Sequence, residues 1–230
     1  MIEIHKVSDF QTGAREAAKA LTNAVIHNKT EGVLLLLSGG SPLEMLQYLP
    51  KDLFDDRITV GVSDERYSTD PTINNFAQVQ SKISFKKSID TRPMPGETLQ
   101  QLGVRFDSAL KKWRSEHPNG KIIITQGIGL DGHTAGMMPG CIFDDQNVWA
   151  LGYDAKERNK YPLRVTTTIP FLTQQVDLSI LFVCGADKQK PLQDVLSSKE
   201  ALSEVPGRVI HHMKHCLLYT DCAVDRVMSI

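Results

Sequence analysis

The chain is 230 residues long, with 41% hydrophobic residues, 26 basic and 27 acidic side chains, and a formal net charge of −1. That length suits one large core, and no Pro/Ser-rich stretch or shift in composition divides it, so residues 1–230 read as a single domain. The balanced charge excludes a global electrostatic attraction to nucleic acid or an anionic membrane, and the longest aliphatic run, Val33 to Leu37, falls far short of the roughly 20 residues that span a bilayer.

From the N-terminus, apolar and β-branched runs predict strands at 2–7 and 33–38, separated by an Ala-rich helix at 9–28. A short helix at 43–49 leads to a strand at 58–62, and helices follow at 75–83 and 97–116. Strands then recur at 122–126, 148–152, 165–169 and 178–184, before a helix at 188–196 and a final strand at 216–220. This alternation is that of an α/β domain. Most strands are apolar nearly throughout, which predicts a three-layer sandwich: a mostly parallel, Rossmann-like sheet with helices on both faces. Ligands of such sheets bind beyond the carboxyl ends of the strands. Four cysteines, Cys141, Cys184, Cys216 and Cys222, lack CxxC spacing, and the first residues lack the basic and apolar blocks of a secretion signal. Both features point to a reducing, cytoplasmic setting, with the cysteines packed as small apolar side chains.

The polar motifs all fall just after predicted strands. Ser38-Gly39-Gly40-Ser41-Pro42 precedes a helix, so its free N–H groups and the helix dipole favour an anion, although an ordinary strand-to-helix turn has the same composition. No Walker lysine follows, which argues against a nucleoside triphosphatase. Asp64-Glu65-Arg66 follows the strand at 58–62, with Asn74-Asn75 opening the next helix. Arg66 can grip phosphate oxygens through two parallel hydrogen bonds or simply join a loop salt bridge. Lys188, three residues past Gly185, can add a point charge or remain a solvated first-turn lysine, and Arg164 carries the same ambiguity. Within Gly127-Ile128-Gly129-Leu130-Asp131-Gly132-His133-Thr134-Ala135, a neutral His133 can take a proton from an attacking water while Asp131 orients the ring; the alternative is a turn in which both are structural. Asp131 and His133 lack a third neighbouring metal ligand, and His211-His212-Met213-Lys214-His215 offers only an i,i+4 pair if helical. No G-x-S-x-G elbow supports a serine or cysteine nucleophile.

Together these blocks, with Pro139-Gly140, Arg164-Val165-Thr166-Thr167-Thr168-Ile169-Pro170 and Gly185-Ala186-Asp187-Lys188, resemble the 6-phosphogluconolactonase family in order and spacing over most of the chain. The same fold and several blocks occur in glucosamine-6-phosphate deaminases. Met138, where those deaminases typically carry a glutamate before the proline, and the Arg164-Val165-Thr166 segment favour the lactonase side.

The resemblance implies hydrolysis of the δ-lactone of 6-phosphogluconate in the oxidative pentose phosphate pathway, with no metal and no organic cofactor. It implies His133 as general base supported by Asp131. It also implies a phosphate held by Gly39, Gly40, Ser41, Arg66 and Lys188, with Asp64 binding the sugar hydroxyls, Asn75 among the substrate-binding residues and Arg164 at the edge of the site. The implied partner is a small sugar phosphate, with no nucleic acid or membrane, and the implied state a monomer or small homo-oligomer. The alternatives are a deaminase/isomerase and a non-catalytic sugar-phosphate sensor. The chain departs from the family in its first motif, which lacks the threonine usual between serine and proline. It also departs at Ser68-Thr69, at Asn74-Asn75 and at Met137-Met138, all at the edge of the implied site.

Overall fold

Fully apolar five-residue runs form the centre of the molecule. A computed structural model describes residues 1–28, 32–141, 143–197 and 201–224. The chain runs β1 (Ile2–Lys6), α1 (Phe10–Ile26), β2 (Val33–Leu37), a 3-10 segment (Ser41–Tyr48), β3 (Ile58–Val62), β4 (Asp64–Arg66), α2 (Asn75–Lys82) and β5 (Lys87–Ser88). It continues through α3 (Leu99–Glu116), β6 (Lys121–Gln126), β7 (Ala150–Asp154), β8 (Leu163–Thr167), β9 (Leu178–Phe182), α4 (Gln189–Leu196), a 3-10 segment (Pro206–His212) and β10 (Cys216–Thr220). No helix among the described residues is long and apolar enough to cross a membrane.

Seven strands pair in the order β1-β10-β9-β6-β2-β3-β5, and every pairing is parallel. All five residues of β2 are buried because both faces of this sheet are covered. Leu34, Leu36, Ile122 and Ile124 pack with Leu102, Phe106 and Leu110 of α3, while Leu35, Leu37 and Ile123 pack with Ala14, Ala17 and Leu21 of α1 and Phe76 of α2. The result is three layers. After β2 the chain moves outward to β3 and β5, and β6 then returns on the other side of β2. The carboxyl ends of β2 and β6 therefore flank the topological switch point, where loops diverge and leave a crevice.

One expectation is corrected. Strands form near 148–152 and 165–169, as β7 and β8, but they join β4 in a separate sheet ordered β4-β8-β7, and both pairings are antiparallel. The connection between β7 and β8 is too short for a parallel crossover, which needs about a dozen residues or more. β4 is a three-residue Asp-Glu-Arg strand and β5 an exposed Lys-Ser pair, so neither carries a hydrophobic pattern. The helix expected at 43–49 is the 3-10 segment Ser41–Tyr48, with Pro42 in its first turn. The expected start of α3 shifts from 97 to Leu99 because Thr98 is its N-cap, in a reciprocal capping box with Gln101.

The small sheet is pressed onto α3 through two glycines. A Cβ at Gly103 would lie 2.2 Å from the backbone nitrogen of Gly152, and one at Gly152 would lie 2.1 Å from the carbonyl oxygen of Leu99. Backbone cannot yield there as a side-chain tip can. Gly103→Ala is expected to lose about 1–3 kcal/mol of stability, measurable by urea denaturation; an unchanged midpoint would refute the close approach.

Candidate active site

Four loops leave the carboxyl ends of the strands and enclose one cavity of about 190 Å³. Gly39, Gly40 and Ser41 come from the loop after β2, Asp64 and Arg66 from β4, Asn75 from the start of α2, His133 from the loop after β6, Arg164 from β8, and Lys188 from the turn after β9. All nine were singled out in the sequence and all nine line this cavity. Asp131 stands behind His133, outside the lining.

The loop after β6 is shaped around the imidazole. Asp131 Oδ1 lies 2.5 Å from His133 Nδ1 and accepts the backbone N–H of His133 at 3.2 Å. A carboxylate only accepts, so Nδ1 carries the proton of the neutral ring and Nε2, without a partner among the described residues, keeps its lone pair. Burial raises the Asp131 carboxyl, but the hydrogen bond and charge of His133 outweigh it and hold the group below the usual carboxylate range. It is therefore ionised at neutral pH. The turn closes through Gly129 N–H to His133 O at 2.8 Å, and a Cβ on Gly129 would sit 2.0 Å from His133 Nδ1. Only glycine leaves room for the ring.

Below the turn lies a polar relay that is fully buried. Ser179 Oγ donates to Gln126 Oε1 at 2.6 Å, Gln126 Nε2 donates to Thr134 Oγ1 at 3.0 Å, and Thr134 Oγ1 donates to Gly127 O at 2.8 Å. On the far arm, Tyr153 Oη donates to Gly136 O at 2.6 Å and accepts from Met138 N at 3.2 Å. Sequence reasoning missed both devices. A glutamine at the end of the Ile-Ile-Ile-Thr-Gln strand is the one signal that pointed to the first, because a buried amide demands partners.

The cationic side of the cavity is divided between committed and free groups. Arg164 pairs through Nη1 with Asp64 Oδ2 at 3.0 Å, and both side chains are nearly sealed from solvent. Its Nε donates to Tyr161 O and its Nη2 to Asn159 Oδ1, so all three guanidinium nitrogens have partners. Arg66, by contrast, has only a 3.3 Å bond from Nη1 to Ile73 O, and its buried Nε has no partner among the described residues. Lys188 Nζ donates to Ile128 O at 2.9 Å and keeps two donors. Gly40 has φ 72 and ψ −144, a backbone that disfavours any side chain, and a Cβ on Gly39 would strike Asn75 Oδ1 at 2.3 Å. That Oδ1 is itself buried and unpartnered among the described residues, while Asn75 Nδ2 donates to Asp64 O.

The other sequence candidates fall outside this cluster. The 3-10 segment ends at His212, so no helical i,i+4 pair with His215 forms, and His211 Nε2 contacts Val195 O. Among the described residues no group of three His, Cys, Asp or Glu is arranged to hold a metal ion. Cys184 and Cys216 are buried thiols pushed up to about 12 by that burial, which suits packing rather than nucleophilic chemistry.

Glu65 ties β4 to α2. Its Oε1 accepts the N–H groups of Arg66 and Asn75, and its Oε2 those of Phe76 and the Thr91 hydroxyl. Burial pushes its carboxyl up to about 8 against the pull of those N–H donors, and the Thr91 hydroxyl can reverse to accept the proton. The folded value lies above that of the unfolded chain, so the native state binds more protons through the intervening window. Stability carried by this group is therefore full below the usual carboxylate range and falls as pH rises toward about 8. Urea denaturation between pH 5 and pH 8 is expected to show this decline, and Glu65→Gln, which cannot ionise, to flatten it; equal slopes would rule out a proton on Glu65.

Comparison with known proteins gives a consistent result. A family model described as glucosamine-6-phosphate isomerases/6-phosphogluconolactonase matches residues 8–219. A 6-phosphogluconolactonase of Xylella fastidiosa (strain Temecula1) is 30% identical over 206 residues, covering 82% of this chain and 83% of the relative. That of strain 9a5c is 29% identical over 204 residues, covering 82% and 83%. Among solved structures, 6-phosphogluconolactonase from Plasmodium vivax superposes with a TM-score of 0.79 at 16% identity, over 98% of this chain and 92% of the other. The Trypanosoma brucei enzyme of the same name gives 0.75 at 17%, over 96% and 95%. At such identities the structural likeness speaks to the fold.

Proposed function

Because the chain belongs to the glucosamine-6-phosphate isomerase/6-phosphogluconolactonase family, we propose that it hydrolyses 6-phosphoglucono-δ-lactone to 6-phosphogluconate, the lactone-opening step of the oxidative pentose phosphate pathway. The observation that carries this reading is His133. Its Nδ1 is held by Asp131 while its Nε2 is free, in a cavity that also holds the uncommitted cations of Arg66 and Lys188.

The phosphate binds to Arg66, Lys188 and the N–H groups around Gly39, Gly40 and Ser41. The Arg66 guanidinium donates to the phosphate oxygens, and the ammonium supplies a point charge. Asp64, kept as an acceptor by Arg164, and the Asn75 amide face the sugar hydroxyls. The lactone carbonyl then lies toward the imidazole. Nε2 removes a proton from water as the water oxygen attacks the carbonyl carbon, giving a tetrahedral intermediate and an imidazolium stabilised by Asp131. When the carbon–oxygen bond of the ring breaks, the imidazolium returns its proton to the departing ring oxygen, which becomes a hydroxyl. The carboxylic acid left behind ionises in water. Holding the remote phosphate orients the carbonyl, so binding energy lowers the barrier through position.

The isomerase reading needs a base free to take a proton from carbon. Asp64, the carboxylate nearest that role, is paired with Arg164, and Met138, at the position of the deaminase glutamate, is fully buried. Both observations favour the lactonase.

Purified protein is expected to open freshly prepared 6-phosphoglucono-δ-lactone faster than the uncatalysed reaction, and to release no ammonia from glucosamine 6-phosphate. His133→Ala should lower kcat by about 10²- to 10⁴-fold; ammonia release, or a His133→Ala variant of full activity, would sink this reading. Arg66→Ala is expected to raise KM by about 10- to 100-fold, the loss of one or two charge-assisted hydrogen bonds, with kcat much less affected. Steady-state kinetics in which kcat falls and KM holds would remove Arg66 from phosphate binding.

A further inference from the structure

The connection between β7 and β8 contains no residue assigned to the site so far, yet it holds both arginines of the small sheet. Tyr161 O accepts Arg164 Nε at 2.9 Å, and Asn159 Oδ1 accepts both Arg164 Nη2 at 3.1 Å and the backbone N–H of Tyr161 at 3.0 Å. The ring of Tyr161 lies against the other arginine, with its centroid 4.9 Å from the central carbon of the Arg66 guanidinium. No carboxylate pairs with Arg66 among the described residues, and its only guanidinium hydrogen bond is the long one to Ile73 O.

A long side chain with one weak hydrogen bond needs another constraint to stay in one orientation. A carboxylate would supply it by consuming the N–H donors. An aromatic face supplies it through the flat face of the cation and leaves the donor edge untouched.

We propose that Tyr161 is a positioning residue for the substrate phosphate, holding the Arg66 guanidinium in place at the wall of the cavity. The same residue anchors Arg164 through its carbonyl, so one short segment sets the cation that neutralises Asp64 and the cation that meets the ligand. The inference rests on the reading of Arg66 as a phosphate ligand.

The test is steady-state kinetics on the lactone together with inhibition by inorganic phosphate, for Tyr161→Phe, Tyr161→Leu, Arg66→Ala and the Arg66→Ala/Tyr161→Leu double variant. Tyr161→Phe keeps the aromatic face and is expected to stay within about twofold of the unaltered protein in KM and in phosphate inhibition. Tyr161→Leu is expected to weaken both together by about 3- to 20-fold, with kcat within about twofold. In the double variant the leucine should add nothing to Arg66→Ala, because the two residues act as a unit. If Tyr161→Leu does not fold, Tyr161→Met carries the same expectation. Tyr161→Leu with unchanged KM, or Phe and Leu variants equally impaired, would overturn the proposal while leaving Arg66 in place. Arg66→Ala with unchanged KM and phosphate inhibition would instead overturn the role of Arg66, and this inference with it.

Discussion

A carboxylate and a guanidinium almost sealed from water form the foundation of the cavity. Taking two charges out of water is unfavourable unless every remaining donor and acceptor finds a partner, and removing one member of such a pair costs about 3–5 kcal/mol. The Asp64–Arg164 pair meets the condition through Tyr161 O, Asn159 Oδ1 and Asn75. It sits where β4 and β8 run antiparallel, with Asp64 opposite Thr166 and Arg66 opposite Arg164. Thr166 in turn accepts the N–H of Gly136, on the arm of the loop that descends from His133. A Cβ on Gly136 would press at 3.0 Å on both Asp64 and Thr166. The ion pair thus fixes the small sheet, and the small sheet supports the loop that carries the imidazole.

The division of labour follows from which groups are already satisfied. Arg164 has a partner at each nitrogen and can only fix the position of Asp64. Arg66 and Lys188 retain donors, and His133 retains a lone pair. Groups that fold the site and groups that face its contents are distinct even where they are chemically identical. Sequence alone cannot sort one arginine from the other, because the distinction lies in partners from residues far away in the chain.

Much else was legible. The apolar runs at β2, β3, β6, β9 and β10 located the parallel sheet, since strands covered on both faces have no polar alternation to confuse them. The loops beyond them were readable for the same reason: glycine, histidine and arginine immediately after a buried strand stand at the edge where ligands bind. The small sheet was the blind spot. β4 is polar and very short, and the orientation of β7 and β8 is decided by the length of the turn between them rather than by their own residues. The buried relay through Gln126 and the ring of Tyr161 depend on side-chain directions that periodicity does not encode.

Pro42 has a consequence for the loop after β2 at the edge of the cavity. In a glycine-rich loop that runs directly into a helix, successive backbone amides form a cradle that needs no side chains. Here proline occupies the first turn of Ser41–Tyr48 and has no N–H to contribute. An anion held here would lean on long cationic side chains in proportion, and their attraction is screened by dissolved ions over about 8–10 Å at ordinary ionic strength. If the cavity holds a phosphate as proposed, its grip would be tied to the saltiness of the surrounding solution, in a way that a complete amide cradle would avoid.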